Sequence, residues 1–515
     1  TSGADTGFSR TEAMQKFQFG SKDQVWSVKL GYSREKSHET YLGLSRTDFE
    51  HSPLLRYPAS QEGLMSWQRS QIELGWKQSR EKWTHRMVGY HHFLDRRWRK
   101  FNGFASGIDV HNLLLQDPTG GEGALYMSIL RGQSDSLMPE EMLIIGSNDR
   151  KFHSFGLQQV SVREVDWMQG GHRLEMGIRV HGDLVQRTHT EREASMAGGQ
   201  VVYTDTDPAT LLDTHVGAVA ASAYIHNDLT IRTWHFYPSL RQEVIQTTTD
   251  VPEWNDPILR AITLPGMGVL KELNDWTDVF SGVHRGFSPV APEQSEDVLS
   301  EQSWNYEAGI RQHTDMLHVE LIGFLNDYQR ITGQCTLSSG CNPNDLGKQF
   351  TGGRALTSGV ESSFNAEWML PNGWTIPVHG QYAFTHAVFQ ESFQSGFSQF
   401  GSVQEGDALP YVARHQGAIS IAMQTEESNV AIHNAYRGRM LDAADDWFTD
   451  ASSAIPAIWT TDVALNHQWN ADWSGYLTIN NIFNAQQVSS WRPFGSRPNA
   501  PRTLFIGVKW SEATN

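Results

Sequence analysis

The chain has 515 residues, a net charge of −17 and a mean hydropathy of −0.46. The acidic balance argues against nucleic acid as a partner, and no window approaches the roughly 20 uncharged apolar residues of a membrane-spanning helix. A polar mean still allows a transmembrane barrel, where outward apolar and inward polar residues cancel.

The opening TSGADTGFSR reads as a polar loop with no basic-then-apolar leader, so any targeting peptide is expected to lie upstream or to have been removed. From Met14 the text becomes strand-like. Tight turns are predicted near Ser21–Gln24, Ser79–Lys82, Met168–Gly171, Asn227–Asp228, Asn274–Trp276 and His313–Asp315. From Thr351 the alternation is strict: Leu356, Val360, Phe364, Ala366 and Trp368 share one parity, and Thr357, Gly359, Glu361, Ser363, Asn365 and Glu367 the other. The turn Pro371-Asn372-Gly373 follows, then a strand to about Phe389 and a long Gln/Ser/Gly-rich loop. A strand with Ile419, Ile421 and Met423 on one face ends in the turn Thr425–Ser428. An acidic loop, the turn Asn470–Asp472 and a last long loop precede the final strand.

Short turns thus alternate with long loops, which a soluble sandwich does not require and an outer-membrane barrel does. A β-propeller would show a repeat roughly every 40 to 50 residues, and none is found. The expectation is an all-β, transmembrane antiparallel β-barrel with about 19 strands in this chain, a single barrel domain over residues 1–515.

The C-terminal stretch TINNIFNAQQVSSWRPFGSRPNAPRTLFIGVKW resembles the end of TonB-dependent outer-membrane receptors, through Asn481-Ile482-Phe483-Asn484, Gly495-Ser496-Arg497-Pro498 and Pro501-Arg502. In the final strand Leu504, Ile506, Val508 and Trp510 would face lipid, although five polar residues follow Trp510 where the family usually stops at an aromatic. FSGVHRGFSPV (280–290) followed by SWNYEAGIR (303–311) resembles a strand–loop–strand of the same family, and TYLGLSRTDFEHSPLLRYPAS (40–60) the first large loop of its ferric-citrate branch.

The resemblance implies the bacterial outer membrane, and a barrel of about 22 strands preceded by a plug domain. The plug and about three strands are then expected to be absent from this chain, either omitted from it or carried by a separate polypeptide. It also implies uptake of a ferric chelate as transported substrate, with no resident cofactor and no enzymatic activity. TonB acting through the plug, and lipopolysaccharide or outer-membrane lipid, are the further partners implied. Ferric citrate, another siderophore, haem, cobalamin and a sugar all stay open as cargo. A passive pore and a structural scaffold of an envelope complex are the alternatives.

Cys335 and Cys341, in GQCTLSSGCNPN, read as a disulfide of an extracellular loop, because that compartment is oxidising. Basic text at strand tops marks a tentative anion-binding mouth: Arg96, Arg97 and Arg99 in DRRWRKF, with Arg354, Arg437 and Arg439. Lipopolysaccharide phosphates or loop carboxylates are the competing partners for these guanidinium groups. Asp442, Asp445, Asp446 and Asp450 could take Ca²⁺, yet their irregular spacing reads as a solvated face. His91 and His92 are adjacent and, in a strand, point to opposite faces. No catalytic or metal-site motif is found.

Overall fold

The computed structural model describes residues 6–511, apart from 168–169, 251–256, 293, 295–297, 337–340, 342–346 and 450–453. Alternating apolar and polar residues, punctuated by turn signals, build one antiparallel sheet of 20 strands. One of these, Gln200–Tyr203, only lengthens a hairpin above the wall. The other 19 form a meander in chain order: β1 Phe8–Gly20, β2 Gln24–Ser37, β3 Leu64–Arg80, β4 Trp83–Phe104, β5 Leu143–Trp167, β6 Gly170–Ala197, β7 Ala209–Ile231, β8 Trp234–Thr249, β9 Ile258–Asn274 and β10 Thr277–Ser288. They continue as β11 Glu301–His313, β12 Leu317–Arg330, β13 Ala355–Met369, β14 Thr375–Phe389, β15 His415–Gln424, β16 Ser428–Arg437, β17 Ile458–Gln468, β18 Trp473–Asn480 and β19 Thr503–Trp510.

Turns such as 21–23 and 425–427 lie at one end, and loops such as 38–63, 105–142 and 481–502 at the other. One predicted turn is misplaced. Asn227 and Asp228 continue β7, and the reversal falls at Arg232, held at φ 56°. The apolar run from Ala209 hides no break at Asn227, because Leu174 and Arg173 of β6 pair with Asn227 and Asp228 without interruption. The predicted turn at Met168–Gly171 lies partly outside the described residues, though Gly170 does open β6.

Parity assigns the two faces of the wall. On β6, Ile178 and Val180 are 59% and 55% exposed, while His181, Asp183, Arg187 and His189 occupy the opposite face with a cavity. An outward apolar face and an inward polar one suit a barrel whose solvent outside is lipid. Tryptophans collect at the turn end: Trp26 lies 6.3 Å from Trp76, and Trp473 pairs with Trp510. Strands β4 to β7 run 22 to 28 residues, far beyond the roughly 9–11 needed to cross a bilayer.

The buried core lies at the loop end. It is made by Leu42 and Leu44 of loop 38–63, which also carries helix α1 (Arg46–His51), by helix α2 (Val110–Gln116), helix α3 (Gly121–Leu130), and by Trp491 and Phe494 of loop 481–502. Asp109 caps α2 by accepting from the Asn112 N–H. Loops 38–63 and 481–502 join through bridges Leu42–Phe494 and Leu44–Ser496. Gly495 sits at φ 75°, where a β-carbon would stand 2.5 Å from the Leu44 carbonyl, so the close approach needs glycine. These contacts link the first strands to the last over the mouth. Below them β1 and β19 pair with each other nowhere among the described residues.

Candidate functional site

Three neighbouring strands bring three arginines into one row. Arg96 on β4 stands opposite Arg150 on β5, and Arg150 stands opposite Arg187 on β6. Like charges directly opposite repel across a sheet, so this row favours negative charge placed before it. Toward the loops, the next rows add Trp98, Asn148 and His189, then Lys100 and Glu191. Asn148 Oδ1 accepts from Arg150 Nε at 2.8 Å and from Arg96 Nη2 at 3.4 Å. Lys100, 4% exposed, has its Nζ 4.2 Å from the Tyr41 ring centroid and 4.5 Å from that of Trp98. Arg96 Nε, Trp98 Nε1 and His189 Nε2 are buried with no hydrogen-bond partner among the described residues. Buried donors left unpaired are costly, and these three line or adjoin one cavity of about 750 Å³.

The cavity is roofed by loops from the mouth, including Val290, Cys335, Gly347 and Gln349. Cys335 and Cys341 form a disulfide, and Cys335 O accepts from the Gly347 N–H at 2.9 Å. Gly347, at φ 88°, lies against Arg187; a β-carbon there would be 3.4 Å from Nη2. Arg187 is 17 residues beyond the start of β6, or about 55 Å along the strand. At a tilt near 40° this is about 40 Å above the turn, higher than an apolar band of about 25 Å. The site therefore belongs to the mouth.

The structure divides the basic residues singled out in the sequence. Arg96 faces the cavity, whereas Arg97 and Arg99 have the opposite parity and stand on the outer face. There Arg97 is opposite Asp149, and Arg99 Nη2 lies 3.0 Å from Glu62 Oε2. Arg354 is at the base of loop 331–354, 3.6 Å from Asp327. Arg437 is on the inner face of a different wall, donating to Pro456 O at 3.0 Å. Arg439 donates to Thr449 O at 2.7 Å within its own loop. One mouth cluster was expected; the described residues form one row from Arg96 and two arginines the motif did not include. Sequence reading missed Arg150, Arg187 and His189, because their local text reads as ordinary strand and their meeting depends on pairing between strands.

The acidic loop also differs from expectation. Asp442 is 2% exposed: it accepts from Tyr411 OH at 2.7 Å and pairs with Arg492 Nε at 2.9 Å. His111 Nε2 is 3.8 Å from the same carboxylate. Four loops therefore meet at one buried aspartate. Asp445 forms a backbone bridge with Ala408, Asp446 accepts from the Phe448 N–H in a turn, Asp450 lies outside the described residues, and no metal-binding group of three appears among the residues described. Burial, followed by the charge of Arg492, holds the His111 pKa below its ordinary value. Nearby, Arg131 bonds Asp48 and Asp117 at 2.8 Å each. Burial would raise the Asp117 pKa, but hydrogen bonds from Thr47, Ser45 and Arg131 hold it below the usual range. Tyr57 is pushed upward by burial and by Asp48. His91 and His92 point apart, His91 to His153 at 3.2 Å and His92 to Glu73 at 3.4 Å.

Residues 2–482 match the family model described as TonB dependent receptor-like, beta-barrel. No curated protein matches the chain. Among solved structures, the unliganded ferric citrate transporter FecA is 14% identical with a TM-score of 0.73, over 98% of this chain and 70% of that one. The siderophore receptor PiuA from Acinetobacter baumannii is 11% identical with a TM-score of 0.73, over 98% and 74%. The closed ferric-catecholate import receptor Fiu from K12 E. coli is 13% identical with a TM-score of 0.68, again over 98% and 74%. At such identities the likeness speaks to fold alone.

Proposed function

Because the chain belongs to the TonB dependent receptor-like β-barrel family, whose members are bacterial outer-membrane barrels, we propose that it forms the wall and mouth of an outer-membrane receptor importing an anionic ferric chelate. The observation that carries this reading is the Arg96–Arg150–Arg187 row. It concentrates positive charge where the chain as a whole carries −17, and guanidinium forks match carboxylate oxygens in pairs. Partners of the family, TonB and a plug domain, would supply energy and gating. Ferric citrate is the first chelate to test, since FecA, which shares this fold, is a ferric citrate transporter.

We further propose that about three more strands, together with a plug domain, pair with β1 and β19 and close the sheet, whether on the same polypeptide or on another. The edges of β1 and β19, which do not pair with each other among the described residues, support this: in lipid each unsatisfied backbone group costs several kcal/mol, and about three strands beside 19 give an even count. Lipopolysaccharide is the outer partner proposed for Arg97 and Arg99, although Asp149 and Glu62 already face them.

The test is binding of radiolabelled ferric citrate and other anionic chelates to outer membranes holding the receptor, with Arg187→Gln as the variant. Saturable binding lost in the variant supports the reading. Charge-independent conductance in liposomes with no chelate binding would instead favour a passive pore. Denaturing mass spectrometry of the gently extracted receptor should show the mass of a plug and about three strands beyond these residues, on this polypeptide or on a second; its absence from a closed, heat-resistant barrel would sink the proposal.

A further inference from the structure

Below the arginine row the inner face changes character. The next row toward the turns is Leu94, Phe152, Val185 and Val216, on β4, β5, β6 and β7. Past it the apolar surface narrows to β7 and β8, running through Ala218 and Ala220 to Ile245, with Asp183 and His181 beside it on β6. Phe287 and Val290, arriving from β10 and its loop, face the same cavity. Val216 and Val290 are already buried by their neighbours, whereas Phe152, Val185 and Ile245 are only partly covered. Interior faces of transmembrane barrels are ordinarily polar, and these strands alternate strictly, so an apolar row on the inner side is not a consequence of lipid contact. Hydrocarbon left facing a water-filled lumen is unfavourable in proportion to its area.

We infer that this surface is an apolar subsite continuous with the arginine row, and that the chelate taken up is amphipathic, with an anionic head against Arg96, Arg150 and Arg187 and a hydrocarbon arm against Phe152, Val185, Val216 and Ile245. The inference rests on the anionic-chelate reading above and narrows it. The occupant is a ligand arm because head and arm surfaces line one cavity of about 750 Å³ whose roof is supplied by this chain's own mouth loops. That volume lies within the range of small-molecule sites, about 300–1,000 Å³, which are mostly apolar with a few convergent polar groups. A small hydrophilic chelate would leave the apolar part wet.

The experiment compares two iron complexes on the receptor in outer membranes: ferric citrate, and the ferric complex of a citrate-based chelator carrying an eight-carbon alkyl arm. The armed complex is expected to bind at least about tenfold more tightly, since burying a few methylenes is enough for that ratio. In the double variant Val185→Thr/Val216→Thr, which keeps side-chain shape, the ratio should fall below about threefold. Equal binding of the two complexes overturns the apolar subsite and leaves the anionic-chelate reading standing. An undiminished preference in the double variant also overturns it, placing the arm elsewhere, such as against a plug domain. If neither complex binds to folded receptor, the reading of the arginine row fails and the subsite with it.

Discussion

Replacing Arg96 by methionine separates a ligand-binding arginine from a structural one, because the two predict opposite signs for the empty receptor. In the unliganded wall Arg96 gains little: one 3.4 Å hydrogen bond to Asn148 and two ring contacts at 6.0 Å, to Trp98 and Phe152. Together these contribute on the order of 1–2 kcal/mol. Against them stand a buried Nε–H without a partner among the described residues, costing about 1–3 kcal/mol. The charge of Arg150 directly opposite adds about 0.2–1 kcal/mol. Methionine keeps the stem volume and removes both penalties, so the empty receptor should be unchanged or more stable by up to about 2 kcal/mol. Chelate binding should lose a charge-assisted contact of about 1.5–3 kcal/mol, a drop of roughly 10–100-fold in affinity. Denaturant unfolding of the empty receptor and a titration with ferric citrate read the two quantities separately. Destabilisation of the empty receptor by about 3–5 kcal/mol, the usual result of breaking a buried charge network, would refute the reasoning and make Arg96 structural. So would undiminished affinity.

Arg97→Gln, one residue away on the outer face, should leave chelate affinity within about twofold in the same titration. Cys335→Ser with Cys341→Ser removes a short closed loop worth about 2 kcal/mol; the roof over Arg187 should loosen, seen as faster proteolysis of loop 331–354 and weaker chelate binding. Asp442→Ala leaves Arg492 and Tyr411 without the carboxylate that joins their loops, a loss of about 3 kcal/mol to be read as protease sensitivity in 390–414 and 481–502. The loop body should also weaken in mild acid. His111 has a folded pKa below its ordinary 6.5, so the unfolded state takes up the proton first, and stability complete above pH 6.5 falls as pH drops toward the folded value. Hydrogen exchange of α2 between pH 7.5 and 5.5 measures this, and His111→Gln should flatten the dependence. Asp117, also depressed, adds a loss of the same sign only below its ordinary 3.8.

What sequence could and could not reveal follows from the range of each interaction. Strand and turn are local, so the alternation around Val360 and Phe364 and the reversal at Thr425–Ser428 were readable, and with them a meander of about 19 strands. The Asn481–Asn484 turn was readable for the same reason: both residues adopt positive φ, and the Asn481 side chain bonds Ala485 and Ala500. Parity alone, applied to His91 and His92, would also have divided Arg96 from Arg97, since neighbours in a strand point apart. The arginine row is different in kind. Arg150 lies 54 residues from Arg96 and 37 from Arg187, and nothing near Arg150 or Arg187 in the text marks either as special. Their meeting depends on register across β4, β5 and β6, which long hairpins fix only as whole ladders; a slip of one residue in β5 would turn Arg150 to the outer face and bring Lys151 inward in its place. Buried Asp442 was hidden for the same reason, because its partners Tyr411 and Arg492 come from two other loops. In this wall the elements are written locally and the chemistry is written in the register, so the residues that act together are those the sequence keeps furthest apart.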